Sequence, residues 1–391
     1  MPVATITLES LLHGQVVDTV VVSSPNDDFL EGDIILDTEP DGIYDAAFTA
    51  RTVTAAFAPG GRIIGDSIPI RELTLPFHLT PASRPRFQRL WGTPGNFRKV
   101  RYHYDGPSGR RSLTLRLSKQ VAYQTEDGFD AAIDDAYHAV AVALAVNPMF
   151  EGTEDVQAWT NPDDRFTVKI TATGGTFPLT FGGNTTAGIA YNAAPAAVQS
   201  ALEALPNVGA GKVTVTGTAG NYLVVFAVGT NGVLTGSASN LTGLGKKVDI
   251  DYAPNTGWFE VWNPTDQDLW NEWELDPAKE WQFPDFAFNG AERKWNRPIG
   301  SDAARMIVTP ELTQMLSIMS DPLMDTYVSA DLSNAAGLFN GVEPVYPVPQ
   351  YTGTADDPIL MPVVCRGPAG AKASLSMRRF WSAESGLEAA A

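Results

Sequence analysis

The sequence predicts a mainly β protein made of more than one domain. At 391 residues the chain is too long for a single ordinary domain. Its 35 glycines and 28 prolines favour many turns. Short β-branched or alternating runs recur within the first 150 residues: ATITLES, QVVDTVVVS, DIILDT, RELTLPFHL, SLTLRLS and AYHAVAVALAV. A hydrophobic content of 44% against 18% charged residues is enough for a sizeable core.

Within residues 1–150, one helix is expected at 80–91. Thr80 caps it, Phe87, Leu90 and Trp91 share a face, and Gly92 stops it. FRKVRYHY and RRSLTLRL flank DGPSG, which reads as a hairpin with a loop longer than two residues. This stretch is basic: Arg84, Arg86, Arg89, Arg98, Lys99, Arg101, Arg110, Arg111, Arg116 and Lys119 face only Asp105 in sequence. One reading is a solvated strand face. The other is a basic strip that meets an acidic patch on a neighbouring copy, for instance Asp27, Asp28, Glu31 and Asp33.

Residues 165–245 form a separate ββαββ module. Strands joined by Gly-Gly turns lead into AAPAAVQSALEALP, a helix with Val198, Leu202 and Leu205 on one face. Pro195 is tolerated in its first turn, and Pro206 ends it. AWTNPDD precedes the module and VWNPTD follows it. It is therefore expected to be an insertion within a C-terminal β-domain of residues 151–164 and 246–391. In that domain 257–290 carries an aromatic load: Trp258, Trp262, Trp270, Trp273 and Trp281, with Trp295 just beyond. The Asn263–Asp266 turn separates two strands of an antiparallel sheet. Residues 320–351 read as a long ordered loop or arm, and SAESGLEAAA as a frayed tail.

The net charge of −18 argues against a general nucleic-acid binder. The single cysteine, Cys365, excludes an intrachain disulfide framework and reads as a buried thiol. No signal peptide and no bilayer-length apolar run is apparent, so synthesis in the cytoplasm without a membrane anchor is expected. His13, His78, His103 and His138 show no ligand spacing. DTEPDG (37–42) starts like a calcium loop but has Phe48 at its twelfth position, so no metal site is assigned. No nucleophile elbow, phosphate loop or dinucleotide fingerprint is present, and no catalytic residue or cofactor is expected. Asp266, Asp268, Glu272, Glu274 and Asp276 lie among the tryptophans. Paired carboxylates of an envelope hydrolase are one reading. The other is the solvent face of a strand whose opposite face is core. A non-catalytic sugar-binding surface on Trp258, Trp262, Trp270 and Trp273 is the alternative function, and it requires two or more of these rings exposed on one concave face. Core packing is the default for most of them.

In three places the chain resembles the distal tail proteins, or minor tail proteins, of long-tailed non-contractile phages, in particular those infecting actinobacteria. These are HAVAVALAVNPMFEG, FEVWNPTDQDLWNEWELDPAKEWQFPDFAFNG, and the end of the chain with PVYPVPQYTG, PILMPVVCRG and ASLSMRRFWS. The 165–245 insertion is similar to a small domain of actinophage virion proteins. The resemblance implies an N-terminal ring-forming domain with a helix-and-hairpin belt at 80–119, and a C-terminal galectin-like β-sandwich. It also implies a homohexameric ring at the tail tip that joins the tail tube protein to the tip hub protein. Receptor-binding or tape-measure proteins are further partners, and the genome passes through the ring without sequence-specific contact. On that basis Arg84, Arg86, Phe87, Arg89, Trp91, Arg98, Arg101, Arg110 and Arg111 are the candidate ring contacts.

Overall fold

The computed structural model describes residues 4–25, 34–54, 59–124 and 137–388. Among these the protein is mainly β, with two α-helices, Arg84–Trp91 and Pro195–Glu203. The acidic residues Asp27, Asp28, Glu31 and Asp33 lie outside the described residues. Three hydrophobic cores organise the rest.

The first core lies under a ten-stranded sheet. Its main path runs Gln15–Ser23, Thr5–Leu12, Lys99–Gly106, Gly109–Leu117, Tyr137–Ala145, Arg71–Leu79 and Ile35–Leu36. Large and small side chains face one another across its best-buried pair. Leu73 opposes Ala143, Leu75 opposes Ala141, and Phe77 opposes Ala139. All six are buried, so large side chains alternate with small and the layer fills without overpacking. Each of the large ones contributes about 1.5–3 kcal/mol by leaving water.

The hairpin between Lys99–Gly106 and Gly109–Leu117 has a two-residue loop, shorter than the sequence suggested. Pro107 fixes its own φ, and Gly109 takes the left-handed conformation (φ +84°) that returns the chain. The expected helix starts at Arg84, not Thr80. Residues 80–83 form a turn in which the Ser83 hydroxyl accepts from Thr80 N and the Thr80 hydroxyl accepts from Ser83 N. Pro85 opens the helix, and Gly92 (φ +82°) ends it. A Cβ at Gly92 would fall 2.4 Å from the Asn96 carbonyl oxygen, so only glycine fits there.

The second core lies between two sheets. One runs Asp155–Thr160, Lys372–Met377, Asn271–Leu275, Leu316–Met319 and Tyr327–Ser329. The other runs Asn255–Val261, Ile359–Arg366, Glu280–Pro284 and Met306–Val308. Trp273, Trp281, Phe259 and Phe283 fill the space between them, with Phe259 edge-on to Trp273 at 5.2 Å. The Asn263 side chain, fully buried, locks the turn that the sequence signalled. It donates to the carbonyls of Gln267, Val348 and Pro349 and accepts from Thr265. This bond set also pins the 344–349 segment against the sandwich.

The third core belongs to residues 165–252. Strands Val213–Thr218, Asn221–Phe226, Arg165–Thr171 and Lys247–Tyr252 form one sheet, covered by the helix Pro195–Glu203 through Val198 and Leu202. The sheet extends past residue 245, because Lys247–Tyr252 pairs along Arg165–Thr171. The unit's first and last strands are therefore neighbours, and the chain leaves and re-enters the sandwich at one place. Asp164, 2% exposed, sits at that neck. It accepts from Gly232 N in the module and from Ala369 N in the sandwich.

The end of the chain is not frayed through residue 388. Phe380–Trp381 pairs with Phe150–Glu151, and Trp381 enters the first core. Arg111, 1% exposed, donates to the carbonyls of Ala383 and Gly386 and pairs with Glu388. The C-terminal segment is thus part of the N-terminal unit's packing.

Candidate self-association surface

Phe87 and Trp91 are core residues, at 0% and 1% exposure, and they hold the helix onto the sheet. Phe87 packs 5.0 Å from Phe77 and edge-on to Trp91. The buried Arg111 side chain is likewise taken up by partners of its own chain. Periodicity marks an apolar helix face as a contact without saying which contact. Arg111 lay among arginines on a strand, and only its partners from the far end of the sequence explain its burial.

The remaining arginines reach the surface, and three of them, Arg86, Arg101 and Arg110, meet acids of their own chain. Arg86 makes a two-point pair with Asp18 (3.2 and 2.8 Å) and donates to Thr19 O. That pair holds the Asp18 carboxyl below its usual range. Arg101 and Arg110 lie 3.7 and 3.5 Å from Glu9, and Arg110 also approaches Asp105. Arg84 stacks over Tyr123, Arg98 donates to the Ser10 hydroxyl, and Arg89 is exposed. Glu9 and Asp18 are far from this stretch in sequence, so sheet pairing offsets part of the apparent charge excess.

His103 sits inside this network, almost fully buried. Its Nε2 lies 2.9 Å from Glu9, and its Nδ1 accepts from Arg110 Nε at 3.1 Å. The ring is thereby fixed as the neutral tautomer with its proton on Nε2. Burial pushes its pKa down, and the charges of Arg110 and Arg101 add to this against the pull of Glu9. His78 and His138, 60 residues apart in sequence, meet across paired strands, and both reach the Asp37 carboxylate (3.0 and 3.1 Å). Strand register makes this contact, so no sequence spacing could reveal it. Among the described residues no His, Cys, Asp and Glu group could hold a metal ion.

The basic hairpin belongs to the large sheet. Its strands lie in the interior of the sheet, bonded on their outer sides to Thr5–Leu12 and Tyr137–Ala145. The segment that projects is the hairpin of Thr49–Thr54 and Gly61–Ser67, a two-stranded sheet of its own. Every residue of its first strand is exposed. Its exposed apolar side chains include Val53 (51%), Ile63 (69%) and Ile64 (54%), with Phe48, Ile68 and Ile70 at its base. A lone two-stranded hairpin is marginal in water, and clustered exposed apolar groups mark a contact surface. Alternating Thr and Arg masked this in the sequence, because ARTVT reads as an ordinary half-buried strand.

The four candidate tryptophans separate. Trp273 is core, and Trp258 is 59% exposed on the outer side of the other sheet. Trp262 is half-buried beneath the Arg379 guanidinium, 4.4 Å from its ring centre. Trp270 is half-buried in a cleft beside the N-terminal unit. The required pair of exposed rings on one concave face is not formed by these four. Glu272 and Glu274 face outward opposite buried Trp273, the alternation read from LWNEWEL. Asp266 and Asp276 accept from Ser382 N and Lys372 N, so both hold the backbone together.

No protein-family model and no curated protein matches the chain. Its structural neighbours are phage hub and baseplate proteins. The SPP1 Dit (gp 19.1) protein, called a paradigm of the hub adsorption apparatus in phages infecting Gram-positive hosts, is similar over 95% of this chain and 98% of its own. The identity is 10% and the TM-score 0.43. A chain of the phage P2 baseplate in its activated conformation with Ca is similar over 96% and 98%, at 13% identity and a TM-score of 0.40. A structure from Mycobacterium phage Patience is similar over 43% of this chain and 65% of its own, at 20% identity and a TM-score of 0.20.

Proposed function

We propose that this chain is a structural virion protein of the distal end of a phage tail, made in the host cytoplasm, whose copies join side by side through their N-terminal units into a ring. The observation that carries the self-association is the 49–67 hairpin. Among the described residues it exposes Val53, Ile63 and Ile64, and its two strands pair only with each other. The sequence resemblance to distal tail proteins supports the place in the tail. It also supports the tail tube and tip hub proteins as the partners above and below.

The 49–67 hairpin adds to the belt that the resemblance implied for residues 80–119. One face of each copy would meet a different face of the next, an arrangement that closes into a ring when the rotation permits. Arg89, Arg98, Arg101 and Arg110 remain candidate contacts at the seam. The galectin-like sandwich and the 165–252 unit then offer outward surfaces for docking. Sedimentation of the wild-type chain and of Val53→Glu tests this reading. Association in the wild type that is lost in a variant with unchanged circular dichroism supports it. Identical association in both removes the hairpin from the interface.

A further inference from the structure

The hairpin has two unlike faces, and their chemistry selects an acceptor. Val53 pairs across the strands with Arg62, and Arg51 lies two residues before Val53 on the same side. One face therefore presents Arg51, Val53 and Arg62: an apolar side chain flanked by two cations. The opposite face carries Thr52 with Ile63 and Ala50 with Asp66.

Two clefts could receive such a surface. The first, of about 390 Å³, lies beside the helix and is lined by Trp91, Phe97, Leu117 and Tyr123 among others. Its lining includes no carboxylate to meet the arginine face. The second, of about 750 Å³, lies where the N-terminal unit meets the sandwich. Its walls include Val146, Trp270, Leu323 and Met324, and its carboxylates include Asp268 and Asp321. No lysine or arginine lines it. Val146, Leu323 and Met324 are 76%, 89% and 54% exposed, so apolar surface there is left uncovered.

We infer that this acidic, apolar cleft is the seat for the 49–67 hairpin of a second copy of the chain, with Val53 entering between Leu323 and Met324 and the arginines meeting Asp268 and Asp321. Opposite charge in this cleft sets the register and favours it over the groove near the helix, which offers no carboxylate. The inference rests on the self-association proposed above and specifies its acceptor. Donor and acceptor differ, so the contact is heterologous and its propagation gives a ring or a filament rather than a closed pair.

Mixed single-cysteine variants test it. Burial pushes the Cys365 thiol up to about 12, so the native thiol contributes little background. Val53→Cys mixed with Met324→Cys should yield a cross-linked dimer on mild oxidation. Val53→Cys mixed with Phe97→Cys should not, and neither should Met324→Cys alone. Arg62→Glu should weaken association at least about tenfold, and mixing it with Asp268→Arg should restore it. Both substitutions are at exposed positions, so the fold is retained. Cross-linking to position 97 instead, or association with no cross-link at either position, overturns the acceptor and leaves the self-association standing. A wild-type chain that stays monomeric at its highest soluble concentration overturns both.

Discussion

The Arg111 guanidinium carbon sits 3.9 Å from the centre of the Trp381 ring. Residues 270 positions apart thereby join the N-terminal sheet to the last strand of the chain. The same guanidinium, itself buried, donates to Ala383 O and Gly386 O and pairs with Glu388 at the edge of the site. Arg111→Met keeps much of the volume but leaves two carbonyls and a carboxylate without their donor. The cost is expected at about 2–4 kcal/mol, read as a lower denaturation midpoint. Arg111→Lys should recover only part of it, because an ammonium cannot span three acceptors in one plane. Equal stability of all three proteins would refute the tie.

Gly257 faces the Trp159 indole so closely that an added Cβ would fall 2.3 Å from the ring. Trp159 in turn packs edge-on to Trp281 at 6.2 Å. The glycine φ is not in the left-handed region, so the constraint is steric alone. Gly257→Ala should destabilise by about 1–3 kcal/mol through overpacking. Adding Trp159→Val should cancel much of the Gly257→Ala cost, since contacting sites are not additive. Thermal melts of the four proteins in the cycle give the coupling directly.

Acid should loosen the Glu9–His103–Arg110 network in two stages. Burial lowers the His103 pKa from 6.5, so as pH falls the unfolded chain takes up the proton first. Stability is therefore expected to decline from about pH 6.5 downward until the folded histidine also titrates. Burial would raise Glu9, but His103, Arg110 and Arg101 outweigh it and hold its pKa below 4.5. Its contribution is complete above that value and is lost as pH falls through the lower, folded pKa. Melting temperatures between pH 8 and pH 5 should fall less for His103→Gln than for wild type. Parallel curves would show that His103 carries no such linkage.

Removing residues 165–252 and joining Asp164 to Ala253 through a short Gly-Ser linker should leave the sandwich folded. Phe166 and Tyr252 are direct strand partners, and Ala253 N donates to Arg165 O at 2.9 Å, so the cut ends are already adjacent. Asp164→Asn should cost about 1–3 kcal/mol, because its two oxygens accept from two half-buried N–H groups and an amide has only one oxygen. Retained near-ultraviolet circular dichroism from the tryptophans reports the outcome. Its loss in the excised chain would mean the unit is integral to the sandwich.

The sequence by itself determined what depends on neighbours along the chain. Alternation in RELTLPFHL, the stop at Gly92, the Asn263 turn and the helix before Pro206 are local, set by sterics and by which face meets water. The tertiary structure decided what depends on which strands lie side by side. Pairing brought Glu9 and Asp18 to the arginines, set the basic hairpin inside the large sheet, and carried the 382–388 segment back to Arg111. It also left Val53 and Ile63 of the 49–67 hairpin exposed among the described residues. The physical reason is that local preference fixes a strand and its two faces, whereas burial is settled by whatever else packs against them, and that is written across hundreds of residues.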